Sequence, residues 1–493
     1  MLFNSIAFLI FLPIVYLVYW KLLAHDLRKQ NAFVLLASYF FYGWWDWRFL
    51  SLIFISSLVD FMVGPIIAKS IIKHRRRAWL ILSLCVNLGM LGFFKYYNFF
   101  VDSLIESFSW FGFHLNHSGL DIILPVGISF YTFQTLSYSI DIYKGKIEPT
   151  KDWLSFFAFV SFFPQLVAGP IERAAHLLPQ FQHKRQFDLQ FTINGMRIML
   201  WGFFKKVVIA DNLAGIVDLV YSSPAGFSGP QVWLASVLFA VQVYADFSGY
   251  SDIAIGCGRM FGFDLMTNFK TPYFSRSFSE FWNRWHISLS TWFRDYIYFP
   301  LGGNKVSSTR WLFNILVVFT VSGLWHGAKW TFIIWGILGG VFMIFGRYKL
   351  PFIPEFLAQV GISDSHPLKK YYDMFVVFAL WTFSLIFFRA NSTSDLPILL
   401  NSALVTSWSQ FIHPSTWIGE LTSMFESSRQ VFLLLLSVCL LFGMDGSMKK
   451  RDFGTFLTNR SGISRWGIYF GVLAWIFLFG AFSRPENFVY FQF

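Results

Sequence analysis

Apolar segments long enough to cross a lipid bilayer recur from one end of this sequence to the other. A helix needs about 20 mostly apolar residues to span the hydrocarbon layer. Windows of this kind lie at roughly 5–23, 31–44, 49–68, 78–98, 119–140, 153–168, 190–210, 231–245, 311–325, 329–346, 371–389, 430–444 and 465–483. A β-barrel would show alternating segments of about 10 residues, whereas runs such as VFLLLLSVCLLFG at 431–443 are continuous. The sequence therefore predicts an all-α, polytopic membrane protein with about 11–14 membrane helices, some of them re-entrant.

The composition agrees with a membrane protein. Of the 493 residues, 55% are hydrophobic and only 13% are charged, whereas charged residues supply about 25% of a typical soluble protein. No linker, low-complexity tract, fixed-period repeat or polar stretch long enough for a soluble domain interrupts the chain. We therefore predict a single membrane domain over residues 1–493.

Basic residues cluster in short loops between the apolar segments. KLLAHDLRKQ at 21–30 and KSIIKHRRR at 69–77 lie two segments apart and so share one side of the membrane. Positively charged loops are retained in the cytoplasm, which places the N-terminus and the loop 101–121, free of Lys and Arg, on the outer side. Contact with lipid headgroups accounts for the net charge of +12, and no nucleic acid is expected as a partner.

Three segments depart from plain apolar spans. The run 124–146 holds Gln134 among several hydroxyl side chains. The run 162–181 has three prolines and a glycine, a pattern typical of a broken or re-entrant helix. The run 241–263 places Asp246 and Asp252 beside small residues. Polar side chains therefore concentrate in the middle of the chain.

A polar stripe follows at 280–295. If these residues form one helix, its 100° spacing puts five polar side chains within an arc of about 120° and a row of aromatic residues opposite. The five are Glu280, Asn283, His286, Ser290 and Arg294, and the stripe is widened by Arg284, Ser288, Thr291 and Asp295. We expect this face to line an aqueous cavity or to pack on partners inside the bundle, because a lipid-facing charge costs about 2.5–3.5 kcal/mol. The alternative is an interfacial amphipathic helix with its charges among the headgroups.

His326 lies in the middle of the apolar stretch 311–340, with Ser322 one turn before it. A lone histidine on such a helix is usually a hydrogen-bonded structural residue. Here a buried imidazole in a membrane is costly, and a second histidine, His286, is present in the adjoining polar segment. Gly323 and Gly327 form a small-xxx-small pair that would admit a neighbouring helix.

Two other chemistries are compatible with these residues but weakly supported. The two histidines with Asp246 or Asp252 could ligate a metal, yet no HxxxH or HExxH pair fixes them on one helix face. Ser322, His326 and a distant aspartate match a nucleophilic triad only in composition. The three cysteines are scattered without metal spacing. We expect a histidine base and no metal site.

Four motifs in order now identify a resemblance. They are SFFPQLVAGPIER at 161–173, YADFSGYSDIAIG at 244–256, FWNRWHISLSTWFRDYIYFPLGG at 281–303 and SGLWHGAKWTFIIWG at 322–336. Together they resemble the membrane-bound O-acyltransferase (MBOAT) family, in the branch of bacterial alginate O-acetyltransferases. The resemblance implies an MBOAT fold with a central tunnel and a catalytic core at about 120–345.

The resemblance also implies site residues. The invariant histidine of the family matches His326, and a second functional position, Asn or His in different branches, matches His286. Asn283, Arg284, Arg294 and Asp295 match one motif block, and Asp246 and Asp252 match another. Together with Ser290, Ser322 and Gln134, these are our candidates for lining the tunnel and contacting substrate.

The implied reaction is acyl transfer to a hydroxyl. A neutral histidine can accept the proton of a sugar hydroxyl, so we assign this role to His326, and His286, Asn283 or a backbone N–H could stabilise the acyl oxygen. The donor would be an acyl thioester, acetyl-CoA or an acyl carrier protein, made in the cytoplasm. The acceptor would be an extracytoplasmic polysaccharide, alginate or another envelope glycan, so we expect a location in the bacterial inner membrane and an external partner protein that takes the acetyl group onward.

A transporter of protons or a small polar substrate is the alternative function. Many spans with buried charges are typical of that class. Transporters usually contain two repeated halves, and none is recognisable in this sequence.

Overall fold

The computed structural model describes residues 1–115, 120, 122–167, 169–348, 366–412, 414–448, 451–482 and 488–489. Within these ranges the chain forms helices, turns and loops, and no strand. The prediction of an all-α fold is therefore confirmed. The chain divides into two compact units, 1–199 with 250–266, and 200–249 with 267–493.

The first unit contains the N-terminal helices. These are Ile6–Leu17, Leu27–Asp46, Leu50–Lys69, Lys73–Leu91, Tyr97–Trp110, Ile128–Tyr143, Trp153–Ser161, Phe163–Leu166 and Ala174–Gln182. The proline-rich run 162–181 thus forms short helices separated by non-helical residues, as its composition predicts. Leu189–Phe203 and Gly229–Met260 contain the boundaries between the two units.

The second unit contains the remaining helices. These are Asp211–Ser222, Phe278–Trp282, Ile287–Phe293, Ser308–His326, Trp330–Tyr348, Pro367–Arg389, Asp395–Leu400, Ser407–Phe411, Pro414–Ser423, Ser428–Met448, Phe453–Thr458 and Gly462–Phe479. Wider π-helical turns interrupt or extend the helices of both units at Val18–Leu22, Gly92–Tyr96, Phe204–Ala210, Arg294–Tyr298 and Asn401–Thr406.

Seven helical stretches within the described ranges are long and apolar enough to cross a membrane. One of them, Leu27–Lys69, has 43 residues, about twice the length of a single crossing, and consists of two helices. Many large apolar side chains on these helices face outward, as lipid contact requires, for example Phe432 and Phe477. The chain is a multi-pass membrane protein.

A buried carboxylate joins three helices of the first unit. Asp60 lies on Leu50–Lys69 and accepts hydrogen bonds from Ser83, from Asn87 Nδ2 at 2.8 Å and from Ser139 Oγ at 2.6 Å. Ser83 and Asn87 belong to Lys73–Leu91 and Ser139 belongs to Ile128–Tyr143, and all four side chains are fully buried. Because a buried charge needs internal donors, this network fixes the three helices against one another.

The helices Ser308–His326 and Trp330–Tyr348 form a close hairpin in the second unit. A Cβ added at Gly323 would lie 2.2 Å from Phe332 O, and one added at Gly336 would lie 2.4 Å from Phe319 O. Gly323 therefore meets Gly336 of the partner helix, whose Cα is 3.1 Å from that Cβ position. Small residues let the two backbones approach closely, and this approach fixes the helix that ends at His326.

We predict that Gly336→Ala destabilises the protein by about 1–3 kcal/mol, because the added methyl overlaps the opposing backbone. The melting temperature in detergent, followed by tryptophan fluorescence, should fall. Gly443→Ala is the matched control, since Gly443 is also helical and a Cβ there meets nothing within 4 Å. Equal melting temperatures for the two variants would contradict the close hairpin.

Candidate functional site

His326 is the last residue of its helix and is buried at 4% exposure among aromatic rings. The centroid of its imidazole lies 5.0 Å from the rings of both Trp325 and Trp335, in each case edge to face. Phe388, from Pro367–Arg389, lies 5.7 Å away. Three helices thus hold the ring in one orientation.

His286 lies against the same indole. Its ring centroid is 5.9 Å from that of Trp325 and 4.5 Å from that of Phe247, which it meets at 90°. Trp325 therefore contacts both imidazoles. The second unit brings the two predicted histidines together although 40 positions separate them in the sequence.

The backbone at His286 is left-handed, with φ 44° and ψ 54°. Few non-glycine residues adopt this conformation, which costs of order 1–3 kcal/mol and is concentrated at functional sites. The left-handed residue ends the preceding turn and starts Ile287–Phe293. The strain therefore serves to direct the imidazole towards Trp325 and Phe247.

Asn268 holds this strained segment in place. Its backbone oxygen accepts from Ile287 N at 2.9 Å. Its side-chain Oδ1 accepts from Ser288 Oγ at 2.9 Å and lies 3.0 Å from His286 Nδ1. Asn268 was not predicted as a site residue from the sequence. Its hydrogen-bond partners, His286 and Ser288, lie about 20 positions later in the chain, and no local sequence pattern connects them.

The contact with Asn268 also defines the state of the ring. Since Oδ1 is an acceptor, His286 Nδ1 carries the proton and Nε2 carries the lone pair. Burial lowers the pKa of the His286 imidazole to about 3, because it disfavours the charged form. The ring is therefore neutral at physiological pH, and its Nε2 can accept a hydrogen bond but does not supply a positive charge.

The prediction of one continuous helix over 280–295 is wrong. The chain instead forms Phe278–Trp282, a turn at 283–286, Ile287–Phe293 and the π-helical turn Arg294–Tyr298. The left-handed residue at 286 breaks the helix, and the hydrogen bonds that Asn268 accepts compensate for the break. The polar side chains therefore do not form one stripe.

Asn283 and Arg284 line an open polar cavity of about 650 Å³. Arg284 forms an ion pair with Glu280 at 2.5 Å, and both side chains line the cavity. Its other ionisable side chains are Lys270, Arg276, Lys370 and Asp445. Four cationic and two acidic groups make the cavity positive, so it suits an anionic ligand.

Two further predicted residues at this segment bind each other. Arg294 Nε donates to Asp295 Oδ1 at 2.9 Å, and both side chains are partly exposed. Ser290 Oγ donates to Trp285 O at 3.2 Å, in the turn that precedes its helix. These contacts anchor the segment locally.

Asp246 belongs to a buried ion cluster. Lys206 Nζ lies 2.7 Å from Asp246 Oδ1 and 2.7 Å from Asp211 Oδ1, and all three side chains are 1% exposed. Asp246 Oδ2 also accepts from Val489 N at 2.7 Å. Phe247, which packs on His286, follows directly in the chain. The lysine pair in FFKKVVIA at 203–210, flanked by apolar residues, is the signal that could have identified Lys206.

The remaining predicted residues lie in two places. Ser322 is buried one turn before His326 in the same helix. Gln134 and Asp252 belong to the first unit, where Gln134 is buried on Ile128–Tyr143.

No group of three His, Cys, Asp or Glu side chains in the described part of the chain could hold a metal ion. Asp246, an alternative metal ligand, instead contacts Lys206.

Comparison with known proteins defines the class of protein. The family model for membrane-bound O-acyltransferases matches residues 149–388, a range that contains both histidines and the Asp246 cluster. Together with the relatives below, this shows that the chain belongs to the membrane-bound O-acyltransferase family. It is an O-acyltransferase.

The names of its relatives refer to alginate, peptidoglycan and teichoic acid. The chain is 41% identical to the probable alginate O-acetylase AlgI of Pseudomonas aeruginosa, over 80% of this chain and 72% of that protein. It is 36% identical to the peptidoglycan O-acetyltransferase of Helicobacter pylori, over 81% of this chain and 79% of that protein. It is 28% identical to the teichoic acid D-alanyltransferase of Streptococcus thermophilus, over 44% of this chain and 56% of that protein. The chain is thus similar to alginate O-acetyltransferases, as its motifs predict.

We predict that Asn268→Ala lowers the acyl-transfer rate about 10- to 100-fold, because the His286 ring and its strained backbone lose their partner and small displacements of a site group are costly. Initial rates in detergent-solubilised protein would measure this. Asn459→Ala, at an exposed turn position, is the control and should leave the rate unchanged. A wild-type rate in Asn268→Ala would show that this contact does not position the site.

Proposed function

We propose that the protein transfers an acetyl group from a cytoplasmic thioester to a hydroxyl on the outer side of the inner membrane, for O-acetylation of an envelope polysaccharide such as alginate. The names of the relatives support the acetyl group and the class of acceptor. The observation that carries the proposal is the pair of imidazoles on one buried indole. Histidines with only a structural role would not need to contact the same indole. At His286, this contact also requires a strained backbone.

His326 is the general base in this proposal. As the acceptor oxygen attacks the acyl carbon, its proton moves to the imidazole and the new O–C bond forms. The C–S bond of the thioester then breaks, and the departing sulfur takes the proton from the imidazolium. Such a base typically contributes 10²–10⁴-fold to the rate. Neutral His286, which also contacts Trp325, orients the reactants.

The cationic cavity at Lys270, Arg284 and Lys370 receives the donor in our proposal. Acetyl-CoA and the phosphopantetheine arm of an acyl carrier protein both carry phosphate groups. Lysine and arginine are the usual phosphate partners, and the cavity has an excess of two positive charges. Asn283 lines the same cavity, three residues before His286, so a bound donor would lie near the segment that carries a site histidine.

The orientation follows from charge. Loops 21–30 and 69–77 hold the basic residues expected on the cytoplasmic side, with the N-terminus outward. A tunnel through a core at about 120–345 would let the thioester approach from inside and the hydroxyl from outside. Because no soluble domain is predicted in this chain, an extracytoplasmic partner protein would carry the acetyl group to the polymer. Acetylation of polymer by the purified protein alone would contradict this relay.

We predict that His326→Ala reduces acetyl transfer from labelled acetyl-CoA by 10²-fold or more, because the acceptor proton then has no base. Membranes containing equal amounts of each variant would be compared. His25→Ala, at an exposed position, is the control. Full transfer by His326→Ala at normal expression would refute the assignment.

We predict that Lys270→Gln combined with Lys370→Gln raises the KM for acetyl-CoA about 10-fold, the effect of losing roughly 1.4 kcal/mol of charge-assisted contacts. The KM for S-acetyl-N-acetylcysteamine, a thioester without phosphate, should not change. Lys305→Gln, outside the cavity and exposed, is the control. An equal rise in KM for both donors would show that the cavity does not recognise phosphate.

A further inference from the structure

The first turn of Trp330–Tyr348 lies immediately after the proposed base. His326 ends one helix, Gly327 is extended with φ −164° and ψ 154°, and the next helix begins three residues later. A Cβ added at Gly327 would lie 2.3 Å from the ring of Phe332. The connection is therefore tight, and it brings the N-terminus of the second helix close to His326.

The face of this turn that is directed at His326 carries Thr331. Trp335 stands one turn further along the same helix, and its ring meets the His326 imidazole at 5.0 Å. Residues four apart lie on one helix face and roughly 6 Å apart along the helix axis. Thr331 therefore lies on the side of the helix that faces His326, and closer to the N-terminus than Trp335.

The Thr331 hydroxyl is buried without an internal partner. The residue is 1% exposed, and its Oγ1 makes no hydrogen bond to any other residue in the described ranges. Buried hydroxyls are nearly always hydrogen-bonded. The Thr331 hydroxyl is therefore available to donate a hydrogen bond to a ligand of the proposed base, His326.

The surroundings favour a negative charge at this point. The N-terminus of a helix carries roughly half a positive charge. Lys329 is half-buried at the same turn. Burial and then the charge of Arg389 lower the pKa of Lys329, so a nearby anion would stabilise its ammonium form.

We propose that the Thr331 hydroxyl, at the N-terminus of Trp330–Tyr348, binds the oxyanion formed during acyl transfer. This inference rests on the proposed function, with His326 as base. When the acceptor oxygen bonds to the acyl carbon, the C=O electron pair moves onto the acyl oxygen, and Thr331 donates to that oxygen while keeping its proton. When the C=O bond forms again, the C–S bond breaks and the sulfur leaves with the proton held by His326.

The other oxyanion donors predicted from the sequence have different positions. Asn283 lines the cationic cavity, and His286 directs its Nδ1–H to Asn268. At the N-terminus of Trp330–Tyr348, the backbone N–H of Phe332 already donates to Lys329 O at 3.2 Å. Thr331 was not among the residues predicted from the sequence. Its hydroxyl provides a side-chain donor in the first turn of the same helix.

The test compares Thr331→Val with Thr331→Ser, using labelled acetyl-CoA and purified protein. Val has nearly the shape of Thr but no hydroxyl, so we expect kcat to fall about 10- to 100-fold with KM within twofold of wild type. Ser keeps the hydroxyl and should retain kcat within about fivefold. The melting temperature of Thr331→Val should equal or exceed that of wild type, because the substitution removes a buried hydroxyl that has no partner.

Parallel assays with His326→Ala separate this inference from the proposed function. If His326→Ala loses transfer while Thr331→Val keeps kcat within twofold, the oxyanion role is overturned and the base remains. If Thr331→Val loses both activity and melting temperature, Thr331 serves packing, and the inference is again overturned. If His326→Ala retains full transfer, the proposed function fails and the oxyanion role fails with it.

Discussion

The need to pair ionisable groups away from water is the constraint on which much of this structure depends. In a membrane protein a buried charge persists only where the protein supplies its partner. Lys206 supplies it for Asp211 and Asp246 in the second unit, and serine and asparagine donors supply it for Asp60 in the first. Each network joins helices distant in sequence, so the same contacts that make the charges tolerable also determine how the helices pack.

Aromatic packing connects the buried ion cluster to the candidate site. Asp246 is followed by Phe247, whose ring meets the His286 imidazole at 4.5 Å. Trp325 contacts both His286 and His326, and Trp335 also contacts His326. Indole and phenyl rings are rigid and prefer edge-to-face contact, so they transmit the position of the ion cluster to both imidazoles. This explains the use of large aromatic residues around a site whose chemistry needs only small groups.

The sequence predicts the features that depend on local patterns. Long apolar runs predict the helices, and four motifs in order identify the family; the same motifs contain both proposed histidines. The predicted helix over 280–295 fails because helical periodicity ignores a left-handed residue, which is stabilised by Asn268 from outside the window. Asn268 and Thr331 could not be predicted from the sequence for a related reason. Their roles depend on partners, or on a neighbouring helix end, that only the folded chain brings close.

The left-handed backbone at His286 restricts which side chains evolution can place there. Among residues with a Cβ, asparagine, aspartate and histidine enter this region of torsion space most readily, and β-branched residues are nearly excluded from it. The family resemblance implies that asparagine and histidine alternate at this position. Exchange of histidine for asparagine would preserve the backbone conformation at position 286. Lysine or valine would favour a different backbone conformation there. The backbone conformation therefore limits which residue types can occupy position 286, independently of their value for catalysis.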